Sequence, residues 1–256
     1  MTKKPAPRAS QNRFAAMDSD AYLFDIDGTL LVAHGRVHYR AMNRALAEVY
    51  GVDATIDGVA YHGKTDPGIL RAALERAGVS GQVFQAKLWQ AIDFICRDVQ
   101  RHAASIRAEV CRGIPDVLRW LKARSKLLGI ASGNLETVGW HKVRAAALDR
   151  FFEFGCFSDH HEGRADIFER GVAEVRGRLG TRASVCFVGD TPEDIKAARQ
   201  VNAKIIAVST GVFSAGELLS LDPDVCVASC QELLDLPADS ASEFPSPEEK
   251  PDSRPT

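Results

Sequence analysis

The run Asp25-Ile26-Asp27-Gly28-Thr29-Leu30 constrains this chain more than any other segment, and it directly follows the apolar stretch Tyr22-Leu23-Phe24. The pattern predicts a short buried β-strand that ends by presenting two carboxylates and then turns at Gly28-Thr29. Like charges held that close repel, and burying them is costly unless a cation or hydrogen bonds compensate. The arrangement suits chemistry that needs a nucleophilic carboxylate, a proton carrier and a divalent metal in one place. Asp25 is then the candidate nucleophile toward phosphorus. Asp27 is the candidate acid–base group, protonating the leaving oxygen and later deprotonating the hydrolytic water. The plainer reading is a strand end whose acids merely cap a glycine turn.

Further strand-like runs at Lys126–Ala131, Val185–Val188, Lys204–Val208 and Asp224–Val227 alternate with helical patterns at Pro115–Arg124, Glu136–Leu148, Asp166–Leu179 and Pro192–Val201. Alternation of this kind predicts an α/β fold, a parallel sheet covered on both faces. Right-handed crossovers place all strand C-termini on one edge, where ligands bind in such sheets. Two more of these ends carry chemistry. Ser132-Gly133-Asn134 offers a hydroxyl, a glycine N–H and an amide, donors suited to phosphoryl oxygens, although the same triplet is ordinary turn chemistry. Asp190, in Phe187-Val188-Gly189-Asp190-Thr191-Pro192-Glu193-Asp194, stands where it could share a metal with Asp25. Three acids in a hard-oxygen setting select Mg²⁺. Thr191 suits a helix N-cap, Pro192 the first helical position and Asp194 a capping-box acid; a supporting role for Asp194 in the site is compatible with that cap.

Between the first two predicted strands, residues 36–110 read as helices: Tyr39–Tyr50, Ile69–Ala77 with Gly78 as its stop, and Gln82–Arg101 with Val83, Leu88, Ile92, Ile95 and Val99 in register. An insertion there belongs over the sheet edge that carries Asp25, as a cap that excludes water. The expected organisation is a core of 19–35 and 111–236 around a helical cap of 36–110. A flexible N-terminal tail of 1–18 and a disordered Pro/Ser/acid-rich tail of 237–256 flank it.

Composition narrows the partners. The chain has 256 residues, is 45% hydrophobic and carries a formal net charge of −2. That balance gives no field favouring nucleic acid or an anionic membrane, and no apolar run is long enough to span a bilayer. The six cysteines are scattered without a C-x-x-C pair, which predicts a reduced, cytoplasmic protein without structural zinc. A monomer or homodimer acting on a small molecule is expected.

Taken together, Asp25-x-Asp27-Gly-Thr, Ser132-Gly-Asn, Gly189-Asp190-Thr-Pro and the segments Gly113-Ile114-Pro115 and Phe151–Gly155 resemble the haloacid dehalogenase superfamily. The likeness is to its phosphoglycolate-phosphatase-like and β-phosphoglucomutase-like branch and spans about Ala21 to Leu236. It implies a Rossmann-like core and a helical cap. It also implies Mg²⁺ held by Asp25, the Asp27 backbone carbonyl and Asp190, and phosphoester hydrolysis through an aspartyl-phosphate on Asp25. Two positions depart from the family pattern. Where the family usually carries a lysine before Pro-x-Pro, this chain reads His161-Glu162-Gly163-Arg164-Ala165-Asp166. Arg164 is the candidate replacement, able to make two parallel hydrogen bonds and unable to titrate; Lys142 and Lys196, on predicted helices, fit the role less well. Asn202 stands where the branch has glycine, and asparagine tolerates the left-handed helix stop. In the cap, Lys64 and Thr65 of Tyr61-His62-Gly63-Lys64-Thr65-Asp66 are candidate substrate contacts, with Thr65 equally suited to an N-cap. Lys64 also admits a phosphonoacetaldehyde-hydrolase-like Schiff base. A phosphomutase and a catalytically silent interaction module complete the alternatives.

Overall fold

The computed structural model describes residues 18–234. The expected tails therefore fall outside the described residues, apart from Asp18. Six parallel strands form the main sheet in the order β5-β4-β1-β6-β7-β8. They are β1 (Ala21–Phe24), β4 (Leu127–Ala131), β5 (Phe154–Cys156), β6 (Val185–Gly189), β7 (Lys204–Val208) and β8 (Val225–Val227). β1 is central and fully buried, which explains its uninterrupted apolar run.

Successive side chains divide between two cores. Tyr22, Phe24, Leu128, Ile130 and Val188 pack with Val117, Leu118 and Leu121 of α4 (Ile114–Ala123) and Val143 of α5 (Glu136–Ala145). Leu23, Ala131 and Phe187 face the other way, onto Ile167 and Phe168 of α6 (Arg164–Leu179) and Ile195 and Ala198 of α7 (Pro192–Gln200). Phe168 and Phe187 stack with ring centroids 3.8 Å apart. Burying a phenylalanine side chain contributes roughly 1.5–3 kcal/mol, so this pair is a substantial anchor for α6, whose first residue is Arg164.

Residues 36–110 contain three α-helices, α1 (Val37–Glu48), α2 (Asp66–Arg76) and α3 (Gly81–Arg101). Their apolar faces, including Met42, Leu46, Leu70, Leu74, Phe84, Ile95 and Val99, form a separate core that also takes in Leu135 and Val138 at the start of α5. Within α3 the packing differs from the expected register. Phe84, 1% exposed, is the residue that turns inward, while Val83 stays 41% exposed. The segment is not wholly helical either. β2 (Leu31–His34) and β3 (Arg107–Val110) pair antiparallel where the chain leaves and re-enters the core, Leu31 opposite Val110. Neither β3, half polar, nor the three-residue β5 carries enough apolar pattern to announce itself. Asn202 has φ 52, the left-handed stop expected of it. An eighth α-helix, α8 (Ala215–Leu219), and short 3-10 turns at Ala103–Ser105, Asp149–Phe151 and Cys230–Leu233 complete the described elements.

Candidate active site

Strand register assembles the site. Phe24 lies opposite Ile130 of β4 and Val188 of β6, so the residues that follow each strand emerge together on one edge. Asp25 continues the ladder by donating its N–H to the Val188 carbonyl at 2.9 Å. Ser132 follows β4, and Asp190 follows β6.

Asp25, Asp190 and Asp194 are all buried, and one carboxylate oxygen from each lies within 4.8 Å of the others. Burial raises the Asp25 carboxyl above its ordinary range; Arg164 opposes this, and Asp194 and Asp27 add to it. Burial likewise raises Asp190, reinforced by repulsion from Asp25 and Asp194, with Thr29 and Arg164 opposing. Both causes would be relieved by a hard divalent cation, so the donor set fits Mg²⁺.

The local sequence makes this crowding possible. Gly28 has φ +85, and a Cβ there would lie 2.3 Å from Asp190 Oδ2. At Gly211 a Cβ would lie 1.8 Å from the same oxygen. Thr29, fully buried, donates its hydroxyl to Asp190 Oδ1 at 2.9 Å. Thr191 caps α7, completing the capping box with Asp194. Asp194 Oδ2 accepts from the Thr191 N–H (3.0 Å) and hydroxyl (2.7 Å), and its Oδ1 lies 2.5 Å from Arg164. Both Asp194 oxygens are thus engaged by the protein, which suits a supporting position better than a free ligand.

Arg164 is 8% exposed, and its terminal nitrogen lies 3.0 Å from Asp25 Oδ1. Its Nε is buried without a partner. Its other terminal nitrogen stands 3.0 Å from where a Gly133 side chain would begin. The guanidinium is therefore wedged between Asp25 and the β4 loop. A clamp fixes the loop before it: Glu162 accepts from Arg71 of α2 at 2.5 and 2.8 Å and from Gln85 of α3 at 2.9 Å.

The remaining candidates divide. Gly133 and Lys64 line the cleft beside Asp25, Asp27, Ser132 and Asn134. Gly133 also accepts the Asp66 N–H at 2.8 Å, tying β4 to α2. Thr65 is not brought to the cleft. It is 1% exposed, caps α2 by accepting from the Gly68 N–H at 3.1 Å, and donates to the Glu162 carbonyl at 2.8 Å. Its hydroxyl proton is committed to a backbone carbonyl, so of the two sequence readings of Thr65 the structure shows the N-cap.

Lys142 is the residue that sequence reasoning set aside and the fold brings inside. It is 5% exposed, with Nζ 2.6 Å from Asp27 Oδ2 and 2.7 Å from Asn134 Oδ1. Burial pushes the Asp27 carboxyl up, but Lys142 and the hydrogen bonds from Lys142 and Asn134 outweigh it and hold Asp27 below the usual carboxylate range. One signal was present: Lys142 shares the apolar face of α5 with Val138, an unusual place for an unpaired lysine.

The family description haloacid dehalogenase-like hydrolase matches residues 19–202. This chain belongs to the haloacid dehalogenase-like hydrolases. The family makes the chain an enzyme and sets aside the silent module. Among curated proteins, this hydrolase is 30% identical over 218 residues to a phosphoglycolate phosphatase of Synechococcus elongatus, covering 84% of the chain and 95% of the relative. It is 24% identical over 248 residues to a phosphoglycolate phosphatase of Pseudomonas syringae, covering 94% and 88%. Its fold is shared with CbbY from Rhodobacter sphaeroides solved with phosphate, at TM-score 0.62 and 18% identity, covering 84% of this chain and 96% of that one. A hydrolase from Pseudomonas syringae gives 0.60 and 18%, covering 87% and 99%. Among the described residues no helix is long and apolar enough to cross a membrane.

Proposed function

We propose that this hydrolase is a Mg²⁺-dependent phosphomonoesterase acting on a small phosphorylated metabolite, phosphoglycolate-like or sugar-phosphate-like, through an aspartyl-phosphate on Asp25. The observation that carries the reading is the buried Asp25 carboxylate, in contact with Arg164, clustered with Asp190 and open to a cleft of about 760 Å³. The phosphatase relatives support it. Asp25 attacks phosphorus; Arg164 orients Asp25, and its unpartnered Nε supplies a donor for a phosphoryl oxygen. Ser132 and the Gly133 N–H offer neutral donors to the same group. Asp27 carries the proton for both halves of the reaction. Mg²⁺, held by Asp25, Asp190 and the Asp27 carbonyl, would neutralise charge on the phosphoryl oxygens. The helices of 36–110 act as the cap, with Lys64 facing the leaving group. A Schiff-base lysine needs desolvation or a neighbouring cation. Lys64 is exposed, so ester hydrolysis is the better-supported chemistry.

The test is phosphate release from a panel of phosphoesters with Mg²⁺ or EDTA. Turnover with Mg²⁺, its loss in EDTA, and its abolition in Asp25→Asn are expected. Failure to hydrolyse any ester would refute the phosphatase reading, and wild-type rates for Asp25→Asn would refute the nucleophile.

A further inference from the structure

The two oxygens of Asp27 are not equivalent. Oδ2 accepts from Lys142 Nζ at 2.6 Å and from the Asn134 amide at 2.8 Å. No group among the described residues donates to Oδ1. Lys142 also donates to Asn134 Oδ1 at 2.7 Å, and the Asn134 amide reaches Ser132 Oγ at 2.9 Å. Lys142, Asn134 and Asp27 thus close a triangle, each touching the other two. Lys142 is itself held against the inner face of α5, with its side chain 7% exposed while that of Asp27 is 43% exposed. The anchored partner is inside and the anchored carboxylate looks outward. A buried ammonium is retained where its hydrogen bonds compensate its lost hydration, and the Lys142 bonds, to Asp27 directly and to the Asn134 that also holds Asp27, converge on the orientation of Asp27.

We infer that Lys142 is a positioning residue for the proton transfers: with Asn134 it pins Asp27 through Oδ2 and leaves Oδ1 as the oxygen that serves the reaction. The inference rests on the phosphatase reading. In the first half, an Asp25 oxygen bonds to phosphorus as the bond to the leaving oxygen breaks, and that oxygen takes the proton carried on Asp27 Oδ1. In the second, a water oxygen bonds to phosphorus and the Asp25 oxygen leaves with its electron pair. The water proton goes to Asp27 Oδ1, so the starting state is restored. A carboxylate free to rotate would offer either oxygen at variable distance, and misplacement by an ångström costs on the order of 100-fold.

Rapid-mixing kinetics of Lys142→Met with 4-nitrophenyl phosphate separates the two halves. Nitrophenolate is a leaving group stable without a proton, so formation of the aspartyl-phosphate should keep its wild-type rate and appear as a burst. The hydrolytic half needs Asp27 as base, so steady-state kcat should fall on the order of 10- to 100-fold with KM nearly unchanged. An alkyl phosphate should lose a similar factor in kcat and show no burst. Asp27→Asn should give the same pattern, and the double variant should be no worse than Asp27→Asn alone. Burst and turnover falling together would make Lys142 merely structural and overturn the inference. Unchanged kcat would do the same, and so would a raised KM alone, the mark of a substrate-binding lysine. If Lys142→Met does not fold, as judged by its melting curve, Lys142→Arg decides by the same pattern. Loss of fold in both overturns the inference. A wild-type enzyme without turnover would instead refute the phosphatase reading itself.

Discussion

Replacing Arg164 with alanine should be among the most damaging single changes available to this protein, for stability and rate together. The guanidinium lies 3.0 Å from Asp25 and 2.5 Å from Asp194, with all three side chains nearly inaccessible. Removing one partner of a buried ion pair costs about 3–5 kcal/mol, because the other charge is left without compensation. Here the penalty is concentrated, since Asp25, Asp190 and Asp194 would face one another with no nearby cation. For a domain of this size each kcal/mol moves the melting temperature by roughly 2–4 °C. A drop of about 6–20 °C in EDTA is therefore expected. Saturating Mg²⁺, at a hundred times its dissociation constant, should return about 2.7 kcal/mol of this, because the metal restores positive charge to the same acids. The rate should not recover. Asp25 would have lost its orienting contact and the phosphoryl group a donor, and loss of one such donor costs on the order of 10²–10³ in kcat. Arg164→Lys, which keeps a charge, should fall between alanine and wild type in both measures. Melting curves in EDTA and Mg²⁺, paired with phosphate-release kinetics, make the check. A variant that melts within about 2 °C of wild type and turns over within about threefold would show that Arg164 is not the group compensating Asp25.

Gly28→Ala should lose activity through Asp190: the new Cβ would lie 2.3 Å from its carboxylate at a φ of +85. Backbone strain of this kind costs of order 1–3 kcal/mol; normal kcat with normal Mg²⁺ affinity would refute the claim. The pH dependence of metal stabilisation is also set. Burial, with repulsion from neighbouring carboxylates, raises Asp25 to about 6 and Asp190 to about 8. A carboxyl raised on folding contributes stability below its unfolded pKa and loses it as pH climbs through the folded value. The metal-free protein should therefore weaken from about pH 4, where the unfolded carboxyls ionise, to about pH 8, where Asp190 ionises in the folded state, and as pH climbs through that window Mg²⁺ displaces fewer protons and so stabilises more. Thermal shifts on adding Mg²⁺ across that range should grow with pH, and a flat or falling shift would contradict the assignment.

How much of this could be read without the fold depends on how local each signal is. The β1 and β6 ends were readable because an apolar run followed by an acid and a glycine or threonine is a pattern of adjacent residues. The α7 cap was readable for the same reason: Thr191, Pro192 and Asp194 act within one turn. β5 and the β2–β3 ribbon were not, because three or four residues leave too little periodicity, and their pairing is decided by distant segments. The Val83-for-Phe84 error in α3 is a one-position shift that helical periodicity tolerates and only packing resolves.

The sequence by itself determined the chemistry available: which carboxylates end strands, which triplet offers neutral donors, and that Arg164 was the cation best placed to substitute for a lysine. Tertiary structure decided who meets whom. Register brought Asp25, Ser132 and Asp190 to one edge, and the Phe168–Phe187 stack seated α6 so that Arg164 reached Asp25. The N-cap geometry of α2 kept Thr65 out of the cleft, while the packing of α5 brought Lys142, a residue the motif pattern ranked behind Arg164, onto Asp27. Motifs are short-range, and they survive as adjacency in the chain. The partner of a buried charge is chosen by packing between elements tens of residues apart, and no window of sequence contains that choice.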